Sequence, residues 1–369
     1  MTRLAIYPFL LLLVVAIGSS VTNLKAGEPS TAREQRVVYE GKKGPGEGKH
    51  IVLLAGDEEY RSEEALPQLG KILSQRHGFK CTVLFSIDPA TGMIDPNNQG
   101  NIPGTEALKD ADLVIMSWRF RKPTDEQMGP IDEYFKSGRP VIGLRTSTHA
   151  FNFPKESKWK HYSNGYGGDK KEWRDGFGRL VLGEKWISHH GAHKRESCKG
   201  FLVKDQKKHP ILRGLKDGDV WGPSDVYGVR LPLPGDSQPL VLGQVTLRKS
   251  EGAKDDVMFG MRQTDDEAKP GNKNDPMMPV AWTKSYQVPG GQKGKAFTTT
   301  LGASTDIVAE GTRRMIINAA FWCIGLEDKI PAGGCDVEIV GEFKPTRFEF
   351  RSNDYWKKRK MMPSEHVLK

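Results

Sequence analysis

The stretch His50–Gly56 reads HIVLLAG, an unbroken apolar run that ends in glycine. A strand wetted on one side alternates polar and apolar residues, so a run without polar positions must be covered on both faces. The chain repeats the device in KCTVLFS from Lys80 to Ser86, in ADLVIMSW ending at Trp118, and in PVIGLR from Pro140. Helical patterns lie between these runs. Leu66, Leu69, Ile72 and Leu73 share one face and stop at His77 and Gly78. Met128, Ile131, Tyr134 and Phe135 share another, which begins near Thr124 and stops at Gly138. Strand alternating with helix across short turns predicts right-handed crossovers and a parallel sheet. The expected fold is α/β: a doubly wound, mostly parallel sheet with strands at His50–Ala55, Lys80–Ser86, Asp112–Trp118 and Val141–Leu144.

The second half is less regular. Short strand candidates are Arg179–Leu182, Leu240–Leu247, Pro279–Thr283 and Lys295–Leu301, and Lys249–Pro276 reads as a long polar surface excursion. A helix from about Glu310 to Leu326 carries Met315, Ile316, Ala319, Ala320 and Cys323 at helical spacing. The first four strands cannot be covered without it, so residues 50–330 are expected to form one domain. Residues 27–49, rich in Gly, Pro and charge, read as a flexible N-terminal extension. Residues 331–369 read as a C-terminal extension.

The N-terminus carries Arg3 and then LAIYPFLLLLVVAIG, about fifteen uncharged residues followed by Gly18, Ser19 and Ser20. This is the length of a signal-peptide core, short of the ~20 residues of a membrane span. Cleavage is expected between about residues 18 and 26, giving a secreted or periplasmic product without a membrane anchor. The net charge of +9 is scattered apart from Lys357–Lys360, so it reads as solvated surface rather than a nucleic-acid site. Four cysteines without C-x-x-C spacing make no disulfide scaffold. An oxidising compartment would permit a bridge such as Cys323 to Cys335, which spacing alone does not establish. The oligomeric state is left open.

Ligands of such sheets bind outside the carboxyl ends of the strands. The candidate site is therefore Gly56–Tyr60, Ser117–Arg121 and Arg145–His149. Asp57, Glu58 and Glu59 are either helix-entry charge or cleft carboxylates. Tyr60 follows on the same turn; Trp118 and Arg119 end the third strand, and Arg145 follows the fourth. Five of the nine histidines fall between His149 and His193. No motif diagnoses a cofactor. His189, His190 and His193 are the candidates for holding a divalent metal, although Gly191 interrupts any helix that would align them. Trp159, Tyr162, Tyr166 and Trp173 form an aromatic loop, suited as a group either to stacking on sugars or to packing. Ser147 lacks the G-x-S-x-G setting of a hydrolase nucleophile.

Several segments, in order, resemble the trehalose-utilisation (ThuA-like) family: AGDEEYRSEE, PVIGLRTSTHAF, GEKWISHHGAH, HPILRGL with SDVYGV, PVAWTKSY, GKAFTTTLG and RRMIINAAFWCIG. The resemblance runs from about His50 to Leu326. It implies a flavodoxin-like sheet related to class I glutamine amidotransferases, places His189 on the family's histidine, and adds Asp225 and Tyr227 to the site. Amidotransferases carry a cysteine on the sharp turn that here holds Arg145, Thr146 and Ser147, so glutamine hydrolysis by a thiolate is excluded.

What the resemblance implies is an exported protein acting on a carbohydrate, a disaccharide or a keto-sugar. Acid/base chemistry would come from His149 and His189 with a carboxylate from Glu58, Glu59 or Asp225. Asp57, Tyr60, Trp118, Arg119, Arg145 and Tyr227 would bind the substrate. Two rivals stand beside it: a noncatalytic carbohydrate-binding protein and a metal-dependent hydrolase. A His–carboxylate pair within hydrogen-bond reach separates an enzyme from a binder.

Overall fold

The computed structural model describes residues 1, 35–264 and 266–368; the expected signal peptide lies outside the described residues. In chain order the strands are β1 (Arg36–Tyr39), β2 (His50–Gly56), β3 (Lys80–Phe85), β4 (Leu113–Trp118), β5 (Val141–Leu144), β6 (Glu196–Leu202), β7 (Trp221–Gly222), β8 (Gln238–Leu247), β9 (Glu267–Ala268), β10 (Met278–Tyr286) and β11 (Gly294–Thr299). The helices are α1 (Ser62–His77), α2 (Asp125–Lys136), α3 (Glu310–Cys323) and α4 (Asn353–Arg359). The strands join in one sheet of order β1-β3-β2-β4-β5-β11-β10-β8-β6-β7, with β9 paired to β8. From β3 to β11 neighbours are parallel. An antiparallel β1 closes one edge, and antiparallel β10, β8, β6 and β7 extend the other. The fold is thus a single α/β domain with a mixed sheet, mostly parallel through its middle.

The apolar runs are covered on both sides as their composition requires. Successive residues of β2 enter opposite layers. Ile51 and Leu53 pack with Leu66, Leu69 and Ile72 of α1 and with Ile316 and Ala320 of α3. Val52 and Leu54 pack with Met128, Ile131 and Phe135 of α2. Full burial of each such side chain contributes roughly 1.5–3 kcal/mol. Helix α1 stops where Gly78 takes φ 83°, letting Gly78 and Phe79 donate back to Ser74 and Leu73. Thr124 caps α2 by accepting from Gln127 N–H over 3.4 Å.

Three expectations need correction. Part of the N-terminal extension is ordered: Arg36–Tyr39 pairs with β3, and Val37 and Tyr39 join the core. Arg179–Leu182 is not a strand but part of a wide helical turn, Gly178–Leu182, lying on the sheet face. The carbonyl of Leu182 accepts from the Trp282 indole and the Thr298 hydroxyl, and its side chain fills the space left by Gly143. An apolar tetrapeptide satisfies the same burial as a strand or as a turn, which periodicity cannot separate. The C-terminal extension is no appendage either. It runs back along α1 to the ligand edge, burying Val337, Phe348, Trp356 and Met361. All four cysteines are buried free thiols, so Cys323 and Cys335 are not bridged. Among the described residues no helix is long and apolar enough to cross a membrane.

Candidate active site

The turn after β2 puts its three carboxylates to three different uses. Asp57 is wholly buried. Its Oδ1 accepts from the N–H groups of Glu59 and Tyr60 at 2.7 and 3.0 Å, and its Oδ2 from the Thr146 hydroxyl at 2.5 Å. With both oxygens engaged it shapes the turn and does not bind substrate. Glu58 is held by two guanidiniums, Arg119 at 2.5 Å and the buried Arg121. Burial raises its pKa despite them. Glu59 instead faces His193, with Oε1 3.2 Å from His193 Nε2 and Oε2 3.6 Å from Arg119 Nε. Burial pushes its pKa up, but the hydrogen bond and charge of His193 outweigh it and the net shift is downward.

At the end of β5 the backbone turns sharply, with Arg145 at φ 44°. A side chain other than glycine in this region is strained, and such strain collects at functional turns. The turn aims the guanidinium inward, between the rings of Tyr60 and Tyr227 at 4.4 and 3.8 Å from their centroids. It donates to the Asp225 carboxylate (2.9 Å), the Asp225 carbonyl (2.6 Å), the Thr300 carbonyl (2.9 Å) and the Tyr60 hydroxyl (3.0 Å). Arg145 is therefore a buried strut that positions Asp225, not a ligand-binding arginine at the surface. Ser147 donates to the Met116 carbonyl over 2.7 Å and is likewise enclosed.

Asp225 is the hub. It has no exposed surface, and its two oxygens receive His189 Nδ1 at 2.7 Å and His193 Nδ1 at 3.1 Å as well as Arg145. Burial alone would raise its pKa; Arg145 and the two imidazoles hold it well below the usual carboxylate range instead. The same carboxylate and Glu59 raise His193 against the opposing effect of burial. The side chain of His189 is 37% exposed, so with Nδ1 fixed on Asp225 its Nε2 is left for the cleft. Chain pairing between His189 and Tyr227 brings the two segments together, and Gly191 lies so close that a Cβ on it would stand 3.1 Å from Asp225 Cβ.

His149 reaches the same cavity wall but lies behind it. It is 4% exposed, with rings of Phe120, Trp186 and Tyr227 around it at 4.9, 5.5 and 6.3 Å. Burial, then Arg119, Arg145 and His189, push its pKa well below normal, keeping the ring neutral. Its polar contact is the Thr148 hydroxyl at 3.3 Å; among the described residues no carboxylate pairs with it. The histidine beside His189 is instead His193, 4.9 Å between ring centroids. His190 points away and bonds the Lys273 carbonyl at 2.7 Å, so it leaves the metal-candidate set. Trp118 is fully buried against Phe151 and is core, not a sugar platform. Tyr162 and Trp173 are packed on each other at 4.4 Å in that same layer, and Trp159 bonds Asp125, so the aromatic loop is packing.

The aromatic neighbours of these groups are residues the sequence did not single out: Phe120 beside His149, Trp186 beside His189, the buried Phe348 beside His193 and Phe350 beside Arg119. The alternation RFEF at Arg347–Phe350 was the available signal.

A doubly wound α/β domain with an arginine in place of a nucleophile on its sharp turn, and a His–Asp pair opposite a glutamate, defines the class. Residues 55–323 match the family model described as ThuA, trehalose utilisation. The chain belongs to that family. Solved structures described as ThuA-like that match the chain include one from Parabacteroides merdae, 16% identical, covering 82% of this chain and 97% of its own at TM-score 0.42. Another, from Bacteroides uniformis, is 13% identical and covers 77% and 95% at TM-score 0.40. No curated protein matches the chain.

Proposed function

We propose that the protein is an exported enzyme that performs acid/base chemistry on a carbohydrate, a disaccharide or keto-sugar, with His189 as the base. The observation that carries this is the 2.7 Å bond from a buried carboxylate, Asp225, to the inner nitrogen of a half-exposed imidazole. Such a bond fixes the tautomer and orientation of the ring and stabilises the imidazolium formed when the outer nitrogen takes a proton. Glu59 and His193, oppositely charged partners 3.2 Å apart, supply the acid beside it. A proton removed from carbon next to a sugar carbonyl by His189 and one returned to oxygen from the Glu59–His193 pair give isomerisation or elimination. A binder that does no chemistry has no need of two such pairs, which favours the enzyme. Export rests on the N-terminal apolar run.

The test is solvent-deuterium exchange into keto derivatives of trehalose, followed by NMR, with trehalose itself, which has no carbonyl, as the blank. Wild-type protein should exchange the proton beside the carbonyl, and His189→Ala should lose at least about 100-fold in rate. Undiminished exchange in His189→Ala would sink the assignment.

Metal-dependent hydrolysis is the second reading. Donor atoms of His189, His193 and Asp225 all lie within 4.8 Å of one another. Three protein ligands and an open position suit a catalytic zinc. Against it stands Arg145, a cation 2.9 Å from the same carboxylate. Zinc content after equilibration, and activity with and without chelator, separate the two.

A further inference from the structure

The loop from Leu301 to Asp306, between β11 and α3, bonds to each of the segments that build the hub. The Leu301 carbonyl accepts from Arg145 N–H at 3.2 Å, and Ser304 N–H donates to the Tyr60 carbonyl at 3.1 Å. Asp306 ties the loop to the third segment. It is wholly buried, and four donors meet its two oxygens. Oδ1 accepts from Ser224 N–H at 3.1 Å. Oδ2 accepts from the Ser224 hydroxyl at 2.6 Å and from the N–H groups of Gly302 and Ala303 at 2.8 and 3.0 Å. The last two bonds close the loop on itself. The two to Ser224 have no such use, and Ser224 is the residue just before Asp225.

The chain on either side of the Asp225 side chain is therefore pinned. Asp306 grips Ser224 through both of its donors, and Arg145 donates to the Asp225 carbonyl at 2.6 Å. A Cβ on Gly222 would stand 2.3 Å from Asp306 Oδ1, so β7 passes where only glycine leaves the carboxylate its room. Burial raises the pKa of Asp306 and the charge of Arg145 opposes the rise, so the guanidinium that braces Asp225 also favours the charged form of Asp306. With its backbone held at both ends, Asp225 meets His189 Nδ1 at 2.7 Å. A hydrogen bond weakens steeply as it bends, so a shift of Ser224 would be felt at the imidazole.

We propose that Asp306 is a positioning residue for the His189–Asp225 pair. It sets the backbone ahead of Asp225 so that the carboxylate holds the His189 ring in one tautomer and one orientation. The inference rests on the assignment of His189 as the base and deepens it.

Asp306→Asn keeps the shape of the side chain but offers one carbonyl oxygen to four donors, and Ser224→Ala removes a single hydroxyl. Nitrogen NMR of the His189 ring reports its tautomer with no substrate present. Wild-type protein should hold the Nδ1–H form, and folded Asp306→Asn should lose that preference. Its kcat for proton exchange in the keto-sugar should fall at least about tenfold with KM within about twofold. Ser224→Ala should move both readouts the same way, by less. An unchanged tautomer in folded Asp306→Asn, whatever its Tm, reduces Asp306 to a loop cap and overturns the proposal. Where Asp306→Asn does not fold, the tautomer in Ser224→Ala decides in its place. An altered tautomer in a protein whose wild type exchanges no keto-sugar proton upholds the positioning role and sinks the enzyme reading. Wild-type protein holding the other tautomer overturns both.

Discussion

Arg145 Nη2 stands 2.9 Å from Asp225 Oδ1, and neither side chain has any exposed surface. The pair joins the sharp turn after β5 to a segment eighty residues later, and Asp225 uses its other oxygen to hold His189. The charge that would be intolerable alone is matched by a guanidinium, and the guanidinium is in turn held by two carbonyls and two rings.

Breaking this pair should separate stability from activity. Asp225→Asn leaves Arg145 buried without a counter-charge and should cost about 3–5 kcal/mol in urea unfolding. His189→Ala removes a half-exposed ring and should change stability by less than about 1 kcal/mol while abolishing turnover. Comparable losses of stability in the two variants would show that the hub is structural only.

Glu58 and Glu59 are neighbours with opposite expected phenotypes. Glu58→Gln withdraws the carboxylate from Arg121, which is fully buried, and should destabilise by several kcal/mol. Glu59→Gln keeps most of the packing and should leave the Tm nearly unchanged but remove the partner of His193. Thermal melts and exchange rates of both variants decide it.

The pH dependence of His193 follows from its raised pKa. The folded state binds the proton more tightly than the unfolded chain, so the contribution is fully present below the ordinary value of 6.5. It is lost as pH rises through the folded pKa. NMR titration of the ring should give a value above 6.5, which Glu59→Gln brings down. A value unmoved by that substitution would remove Glu59 as its cause.

Glu63 should give a second slope. Its carboxyl is 1% exposed and 3.6 Å from Arg61, and burial raises its pKa from 4.5 to about 7. The folded state therefore holds this proton where the unfolded chain has released it. The stabilisation is complete below 4.5 and disappears as pH rises through about 7. Urea unfolding between pH 5 and 8 should show that decline in wild type and its loss in Glu63→Gln.

The parallel strands were legible because each is an apolar run long enough to require cover on both faces, and β2, β4 and β5 lie where those runs lie. The same winding predicted that the strand ends would gather side chains, and Glu59, Arg119, Arg145 and His189 lie there. Their roles did not follow. Asp57, Glu58 and Glu59 are alike in sequence, and which is a turn cap, a buried ion pair or the partner of His193 depends on residues 63 to 134 positions away. Trp118 and Trp186 are equally aromatic; one faces the layer beneath the sheet edge and the other stands beside His189.

Local pattern thus determined the winding of the domain and the place of its strand ends. Burial of apolar area is a property of short segments and is written into their periodicity. The hub of Asp225 with Arg145, His189 and His193, the withdrawal of His149 behind aromatic rings, and the return of Phe348 to His193 and of Phe350 to Arg119 were decided by tertiary structure alone. Hydrogen bonds and ion pairs act over about 3 Å, and only the folded chain fixes which distant groups come that close.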